Sequence, residues 1–87
     1  MPSIYVLQSG KDLTLYVGST RNLESRIKSH KAGKVKSTKS RRPFELIHVE
    51  EYATITQARQ RENFLKTGRG REWIKSKMIT WRGGRVV

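Results

Sequence analysis

This chain of 87 residues has 19 Lys and Arg against 7 Asp and Glu, and its formal net charge of +12 favours a polyanionic partner, most often nucleic acid. Its length makes one domain with one modest core, too small for a second lobe or an enclosed substrate chamber. The absence of cysteine excludes disulfides and thiolate metal sites, and no apolar run approaches the ~20 residues of a membrane span, so we expect a cytoplasmic protein that does not act at membranes.

The first two predicted strands form a hairpin with one tyrosine in each strand. Segments 3–7 (SIYVL) and 15–19 (LYVGS) alternate and are rich in β-branched and aromatic residues, and a turn signal separates them. A turn centred on Gly10-Lys11 pairs residues whose numbers sum to 21, which places Tyr5 opposite Tyr16. Two interpretations stay open: the rings pack across the strands, or their hydroxyls serve a site. The other face of the hairpin is apolar and comprises Ile4, Val6, Leu15 and Val17.

The next element is a helix over residues 22–31, because its apolar residues are spaced four apart. Asn22 or Thr20 can serve as its N-cap. Asn22, Arg26 and His30 follow one another at intervals of four, so they form one polar stripe on the helix.

Residues 31–42, here called the basic segment, read KAGKVKSTKSRR, with six basic residues and no acidic one. Gly33 and the serine and threonine content predict a mobile loop rather than a helix. A merely solvated loop is the alternative to a phosphate-binding one. A membrane-surface patch fits poorly, because the segment lacks an interleaved apolar face.

The rest of the chain predicts one strand and two helices. Residues 44–50 alternate as a third strand after Pro43, and Thr54 or Thr56 opens a second helix that runs to about residue 66. Gly68 and Gly70 are expected to interrupt it, with a short third helix at 71–77. Residues 79–87 look like a tail of the kind that is often disordered. The prediction is therefore an α+β domain at 1–78 with a three-stranded, mostly antiparallel sheet in the order β-β-α-β-α-α.

Glu62 stands out in the second helix because it lies among core-facing positions, four after Ala58 and three before Leu65. Glutamate is rarely buried unless it is paired or bound to a metal. One interpretation is therefore a metal ligand. The other is a salt bridge with one of three cations, Arg59, Lys66 or Arg26.

Taken together, these residues resemble the GIY-YIG nuclease superfamily. The first tripeptide of its motif stands at residues 3–5 and the second at 16–18, while Arg26, His30 and Glu62 match its later positions. The resemblance covers nearly the whole chain, from residue 2 to 77. It is strongest to the small stand-alone bacterial members related to the N-terminal nuclease domain of the UvrC repair protein.

The chain departs from the family pattern at two places. Ser3 replaces the first glycine of the motif, and residues 66–77 contain none of the asparagines that many members carry after the glutamate helix. A nucleic-acid-binding module on the same scaffold, without catalysis, therefore stays open as the alternative function.

The resemblance implies a metal-dependent endonuclease that hydrolyses DNA phosphodiester bonds, in DNA repair or processing. Because Glu62 is the one carboxylate at an inward position, a single Mg²⁺ or Mn²⁺ ion is the consistent cofactor. Tyr5, assisted by Tyr16 or His30, would orient or deprotonate the attacking water. A free tyrosine titrates near 10, so a tyrosine base would need a pKa depressed by neighbouring cations. Arg26 would neutralise charge on the phosphate.

The expected partner is DNA, with RNA as an alternative nucleic acid. So small a domain has little surface for reading sequence, so we expect its specificity to come from nucleic-acid shape or from a partner protein. The flanking phosphates would be contacted by eight basic residues: Lys31, Lys34, Lys36, Lys39, Arg41, Arg42, Arg69 and Arg71.

Overall fold

The computed structural model describes residues 1–77, so the predicted tail at 79–87 lies outside the described residues. The α+β class, the element order and the three-stranded antiparallel sheet are all confirmed. None of the helices in the described part is both long and apolar enough to cross a bilayer. The elements are β1 (Ser3–Ser9), β2 (Leu15–Thr20), α1 (Leu23–Lys31), a short 3-10 helix (Lys39–Arg41), β3 (Phe44–Glu51), α2 (Ile55–Leu65) and α3 (Gly68–Lys77).

The register predicted for the hairpin is wrong, although the predicted faces are right. Paired residues of β1 and β2 have numbers that sum to 23, so Tyr5 lies opposite Gly18 and Tyr16 lies opposite Leu7. The loop is wider than a two-residue turn, and it is closed by a hydrogen bond of 2.9 Å from the Ser9 amide to the Thr14 carbonyl. Because the sum changes by two, every side chain keeps its face.

The sheet has the order β2-β1-β3, and hydrophobic side chains cover both of its faces. One face, which includes the four apolar hairpin residues named above, forms a core with Ala58, Leu65 and Ile74 of α2 and α3. The opposite face carries Tyr5, Leu7 and Phe44, and α1 contributes its own apolar side chains to it. The predicted separation of an apolar face from a tyrosine face is therefore confirmed.

The first helix begins as predicted, because the Asn22 side chain caps it by accepting a hydrogen bond of 3.0 Å from the Ser25 amide. Beyond Lys31, the last residue of α1, the basic segment has no helix except the 3-10 turn at Lys39–Arg41. Side chains of the hairpin loop hold its second half in place. The Ser9 hydroxyl donates to the Arg41 carbonyl at 2.6 Å, and the Lys11 ammonium donates to the Ser40 carbonyl at 3.3 Å.

The second helix has the predicted bounds, and Thr54 and Gln57 form a capping box at its start. The predicted start of the third helix is wrong: α3 begins at Gly68 and includes Gly70. The sequence interpretation missed that Thr67 caps this helix, since its hydroxyl accepts a hydrogen bond of 3.2 Å from the Gly70 amide. Gly70 is needed for packing, because a Cβ there would overlap the Leu65 backbone of α2.

This contact predicts opposite outcomes for the two glycines of α3. Gly70→Ala should lower the free energy of unfolding by about 1–3 kcal/mol, because the added methyl group forces the helices apart. Gly68→Ala is the matched control, since a Cβ at Gly68 has nothing within 4 Å. We expect it to be neutral or stabilising by up to ~1 kcal/mol. Urea denaturation of both variants measures the difference, and equal stabilities would contradict the packing role of Gly70.

Candidate active site

The tyrosine in the middle of the central strand is the centre of a cluster of polar side chains. Tyr5 lies on β1 and is fully buried. Its ring lies across its cross-strand neighbour Gly18, where a Cβ would overlap the Tyr5 hydroxyl and ring. Glycine at position 18 is therefore what allows the ring to lie in this place.

Helix α1 brings two side chains to the Tyr5 hydroxyl. Arg26 and His30 are four residues apart, so both lie on the helix face that covers the sheet. The Tyr5 hydroxyl is 2.9 Å from His30 Nε2, and Arg26 Nε donates a hydrogen bond to it at 3.4 Å. The sequence stripe thus converges on one phenol oxygen, although its third member, Asn22, caps the helix.

Tyr16 lies beside this pair rather than directly opposite Tyr5. Its ring centroid is 6.4 Å from that of Tyr5 and 5.2 Å from that of His30. The hydrogen bond that Arg26 donates to the Tyr5 hydroxyl, followed by interactions with both phenols, raises the pKa of Arg26 above its ordinary value. The guanidinium therefore keeps its positive charge between the two tyrosines.

The buried environment controls the protonation of the cluster. Burial raises the pKa of Tyr5 above its ordinary value, while the Arg26 hydrogen bond acts in the opposite direction. The depressed pKa that a tyrosine base would need is therefore not present in the free protein. Burial also lowers the pKa of His30 to about 4, with a further contribution from the charge of Arg26. His30 is consequently a neutral imidazole at pH 7 and can accept one hydrogen bond.

Glu62 approaches the cluster from α2. Its Oε1 accepts a hydrogen bond of 2.5 Å from the Ser19 hydroxyl at the end of β2, and its Oε2 pairs with Lys66 Nζ at 2.6 Å. The Glu62 side chain is 19% exposed, and its charge contributes to the raised pKa of Tyr5. Of the three salt-bridge partners considered from the sequence, the structure places Lys66 on this carboxylate.

The prediction that Glu62 is the one carboxylate at an inward position is wrong, because the Glu50 side chain is also 19% exposed, in a separate cluster. Glu50 on β3 forms hydrogen bonds with Arg61, His48 and Tyr52. It lies at the opposite edge of the sheet from Ser19, since the strand order is β2-β1-β3. Within residues 1–77, no three His, Asp or Glu side chains are grouped as a metal site would require. A metal near Tyr5 would therefore depend on Glu62 together with water and substrate oxygens.

The predicted phosphate-binding residues differ in their surroundings. Three lysines of the basic segment, Lys34, Lys36 and Lys39, are exposed. Arg42 donates to two carbonyls within its own segment, those of residues 39 and 31. Arg41 Nε lies 3.9 Å from Asp12 Oδ2 in the hairpin loop. Arg41 and Arg42 therefore help to hold the basic segment in place. Lys31 is exposed at the end of α1.

The two arginines of α3 are not among the side chains that contact the Tyr5 hydroxyl. Arg69 lines an open groove with Phe64 and Trp73. The Arg61 guanidinium lies over both of these rings and pairs with Glu50, so this groove is toward the β3 edge. Arg71 is exposed on the same helix.

Two residues that contact the predicted site were missed by the sequence interpretation. Ser19 holds Glu62, and Thr38 contacts the second ring nitrogen of His30 at 2.8 Å. Ser19 directly follows the second tripeptide at residues 16–18, so its place in the sequence could have indicated a residue of the site. Thr38 lies in an irregular polar segment, where no periodicity indicates which side chain is buried.

Comparison with known proteins places this arrangement in a family. Residues 1–75 match the model of the GIY-YIG catalytic domain. A UPF0213 protein of Staphylococcus haemolyticus is 43% identical over 65 residues, which is 74% of this chain and 78% of that protein. One of Natronomonas pharaonis is 45% identical over 65 residues, 74% and 75% of the two chains. The solution NMR structure of a UPF0213 protein from Bacillus halodurans has a TM-score of 0.56 and 29% identity, covering 93% of this chain and 90% of that one.

Proposed function

The chain belongs to the GIY-YIG family, and we propose that it is an endonuclease that hydrolyses phosphodiester bonds of DNA with the help of one divalent cation. The observation that carries the proposal is the convergence of His30 and Arg26 on the buried hydroxyl of Tyr5. This arrangement pairs a proton acceptor with a fixed positive charge at one oxygen atom. Phosphodiester hydrolysis needs both, one for the attacking water and one for the developing phosphate charge.

The pKa values favour a proton relay over a tyrosinate base. Because the raised pKa keeps Tyr5 protonated at pH 7, its oxygen accepts a proton from water only as its own proton passes to His30 Nε2. The hydroxide then attacks phosphorus and the bond to the leaving oxygen breaks. Burial opposes protonation of His30 most, and the positive charge of Arg26 opposes it further; a bound phosphate would offset the contribution of Arg26.

We assign the cation to Glu62, the carboxylate that faces the cluster. Mg²⁺ and Mn²⁺ are commonly held by one or two carboxylates, together with water and substrate phosphate oxygens. The Glu62 carboxylate already forms an ion pair with the exposed Lys66 ammonium, so a cation can reach it from solvent. When bound, such an ion would supply charge neutralisation at the phosphate and at the leaving oxygen.

The basic segment would hold the phosphates on either side of the cleaved bond. Each neutralised phosphate contributes about 0.9 to the slope of log affinity against log salt concentration. The double substitution of Lys36 and Lys39 by Ala should therefore flatten this slope by about 2. Both side chains are exposed, so the fold should survive. Fluorescence anisotropy with labelled DNA at several salt concentrations gives the slope.

A matched double variant removes the same charge elsewhere. Lys75 and Lys77 lie on α3 and are also exposed. Replacing both by Ala should lower affinity only slightly and leave the slope close to that of the wild type. If both double variants changed the slope equally, the basic segment would be no more than part of a general positive charge.

The alternative is a nucleic-acid-binding module that has no catalytic activity. It is favoured by the contacts of Glu62, whose carboxylate already has structural partners in Ser19 and Lys66. Titrating Mn²⁺ against labelled single-stranded, duplex, flap and branched DNA decides between the two. We expect metal-dependent cleavage of at least one of them. Binding without any cleavage across the whole set would replace the nuclease by the binding module. A role in repair would follow from a preference for the flap or branched substrates.

A further inference from the structure

Thr38 is the one fully buried residue of the basic segment. Its side chain is fully buried, although its neighbours Ser37 and Lys39 are exposed. The amides of Thr38 and Lys39 both donate to the Val35 carbonyl, at 3.1 and 3.0 Å, and this turn directs the Thr38 hydroxyl inward. The hydroxyl oxygen lies 2.8 Å from His30 Nδ1 and 3.4 Å from the Val35 carbonyl oxygen.

The positions of the protons in this chain of contacts follow from counting donors and acceptors. A neutral imidazole has one N–H and one bare nitrogen. If Nδ1 carries the proton, it donates to Thr38, whose hydroxyl donates to Val35, and Tyr5 donates to the bare Nε2. If Nε2 carries it, Tyr5 receives hydrogen bonds from both His30 and Arg26. Its own buried proton then has no acceptor among the contacts in residues 1–77.

We propose that Thr38 is a positioning residue that keeps the His30 proton on Nδ1, so that Nε2 stays free to take the proton of Tyr5. Which ring nitrogen of a histidine is protonated is set by the hydrogen bond that the other one makes. The link to catalysis rests on the proposed nuclease function. The link to the His30 tautomer does not, since it concerns the free protein.

The proposal also gives the basic segment two separate tasks. Its exposed lysines face solvent, where they can meet phosphates, whereas Thr38 faces His30. Substitutions at Thr38 should therefore change the rate of cleavage and leave the affinity for DNA as it is. Substitutions at Lys36 and Lys39 should change affinity first.

The test uses one variant that removes the hydroxyl group and one that keeps it. Thr38→Val keeps the branched shape and removes the hydrogen bond, and Thr38→Ser keeps the hydroxyl. Nitrogen-15 NMR of the histidine rings reports the protonated nitrogen directly, and His48→Gln identifies the signals of the other histidine. We expect a proton on Nδ1 in the wild type and in Thr38→Ser. In Thr38→Val we expect a shift toward the Nε2–H tautomer.

Cleavage assays on the same three proteins complete the test, with a thermal melt of each as the control for folding. Thr38→Val should cut at least about tenfold more slowly at unchanged DNA affinity, and Thr38→Ser should restore the rate. A wild-type proton on Nε2, or an unchanged tautomer in Thr38→Val, overturns the proposal even if the protein cuts no DNA. A shifted tautomer with full cleavage overturns the positioning role and leaves the nuclease function intact. Absent cleavage in the wild type overturns the proposed function and leaves the tautomer assignment standing.

Discussion

Replacing Tyr5 with phenylalanine should lower the rate of metal-dependent cleavage by roughly 10²-fold or more and leave DNA binding unchanged. The substitution keeps the ring that lies across Gly18, so the shape of the site is retained. It removes an oxygen that contacts both His30 and Arg26, and with it the route from water to His30 Nε2. Single-turnover cleavage at saturating protein measures the chemical step, and anisotropy measures the affinity.

Stability has to be measured beside activity for this variant. The Tyr5 hydroxyl makes a buried hydrogen bond with His30 Nε2, so its removal leaves that nitrogen without a partner at a cost of about 1–3 kcal/mol. Tyr52→Phe is the matched control, because it also removes a tyrosine hydrogen bond, to Glu50, but at the β3 edge of the sheet. We expect that control to cut at the wild-type rate. Full activity in Tyr5→Phe would transfer the water-activating role to Tyr16 or His30.

The parts of the fold that the sequence predicts well are those in which one local pattern decides the outcome. The alternation of the hairpin gave the correct faces, and the cap at Asn22 gave the correct start of α1. The register failed because it depends on how many residues the loop uses, and loop geometry depends on several hydrogen bonds at once. The prediction of where α3 starts was wrong because Gly70, taken from the sequence alone, indicates the end of a helix. The close packing of Gly70 against Leu65 is a tertiary contact, which the local sequence does not reveal.

The candidate site shows the same division. Arg26 and His30 could be placed on one helix face from their spacing alone, and their approach to Tyr5 follows once α1 covers that face of the sheet. The protonation of the site could not be predicted, because it depends on burial. A tyrosine base would need a depressed pKa, yet burial outweighs the Arg26 hydrogen bond and raises the pKa of Tyr5. Thr38 was missed because no sequence pattern reveals which residue of an irregular segment points inward.

Replacing Glu62 with glutamine should abolish metal-dependent cleavage while the protein stays folded. Glutamine keeps the size of the side chain and an oxygen that can accept from Ser19, but it removes the charge that would hold the cation. Lys66 is 41% exposed, so it can turn to solvent when its partner is lost, and the stability cost should stay within about 1 kcal/mol. DNA binding without metal should persist or tighten, because a negative charge near the phosphate is gone.

Lys66→Met separates the carboxylate from its ion pair and is the control for this prediction. It removes the same salt bridge as Glu62→Gln but leaves the charge of Glu62 in place. A metal ligand and a structural ion-pair partner therefore give different results. If Glu62 holds the cation, Lys66→Met cuts at least as fast as the wild type, since the competing ammonium is gone, and needs less Mn²⁺ to do so. If Glu62 acts only through Lys66, both variants melt earlier by the same amount and lose activity together. Wild-type cleavage by Glu62→Gln with an unchanged melting temperature would remove Glu62 from the site altogether.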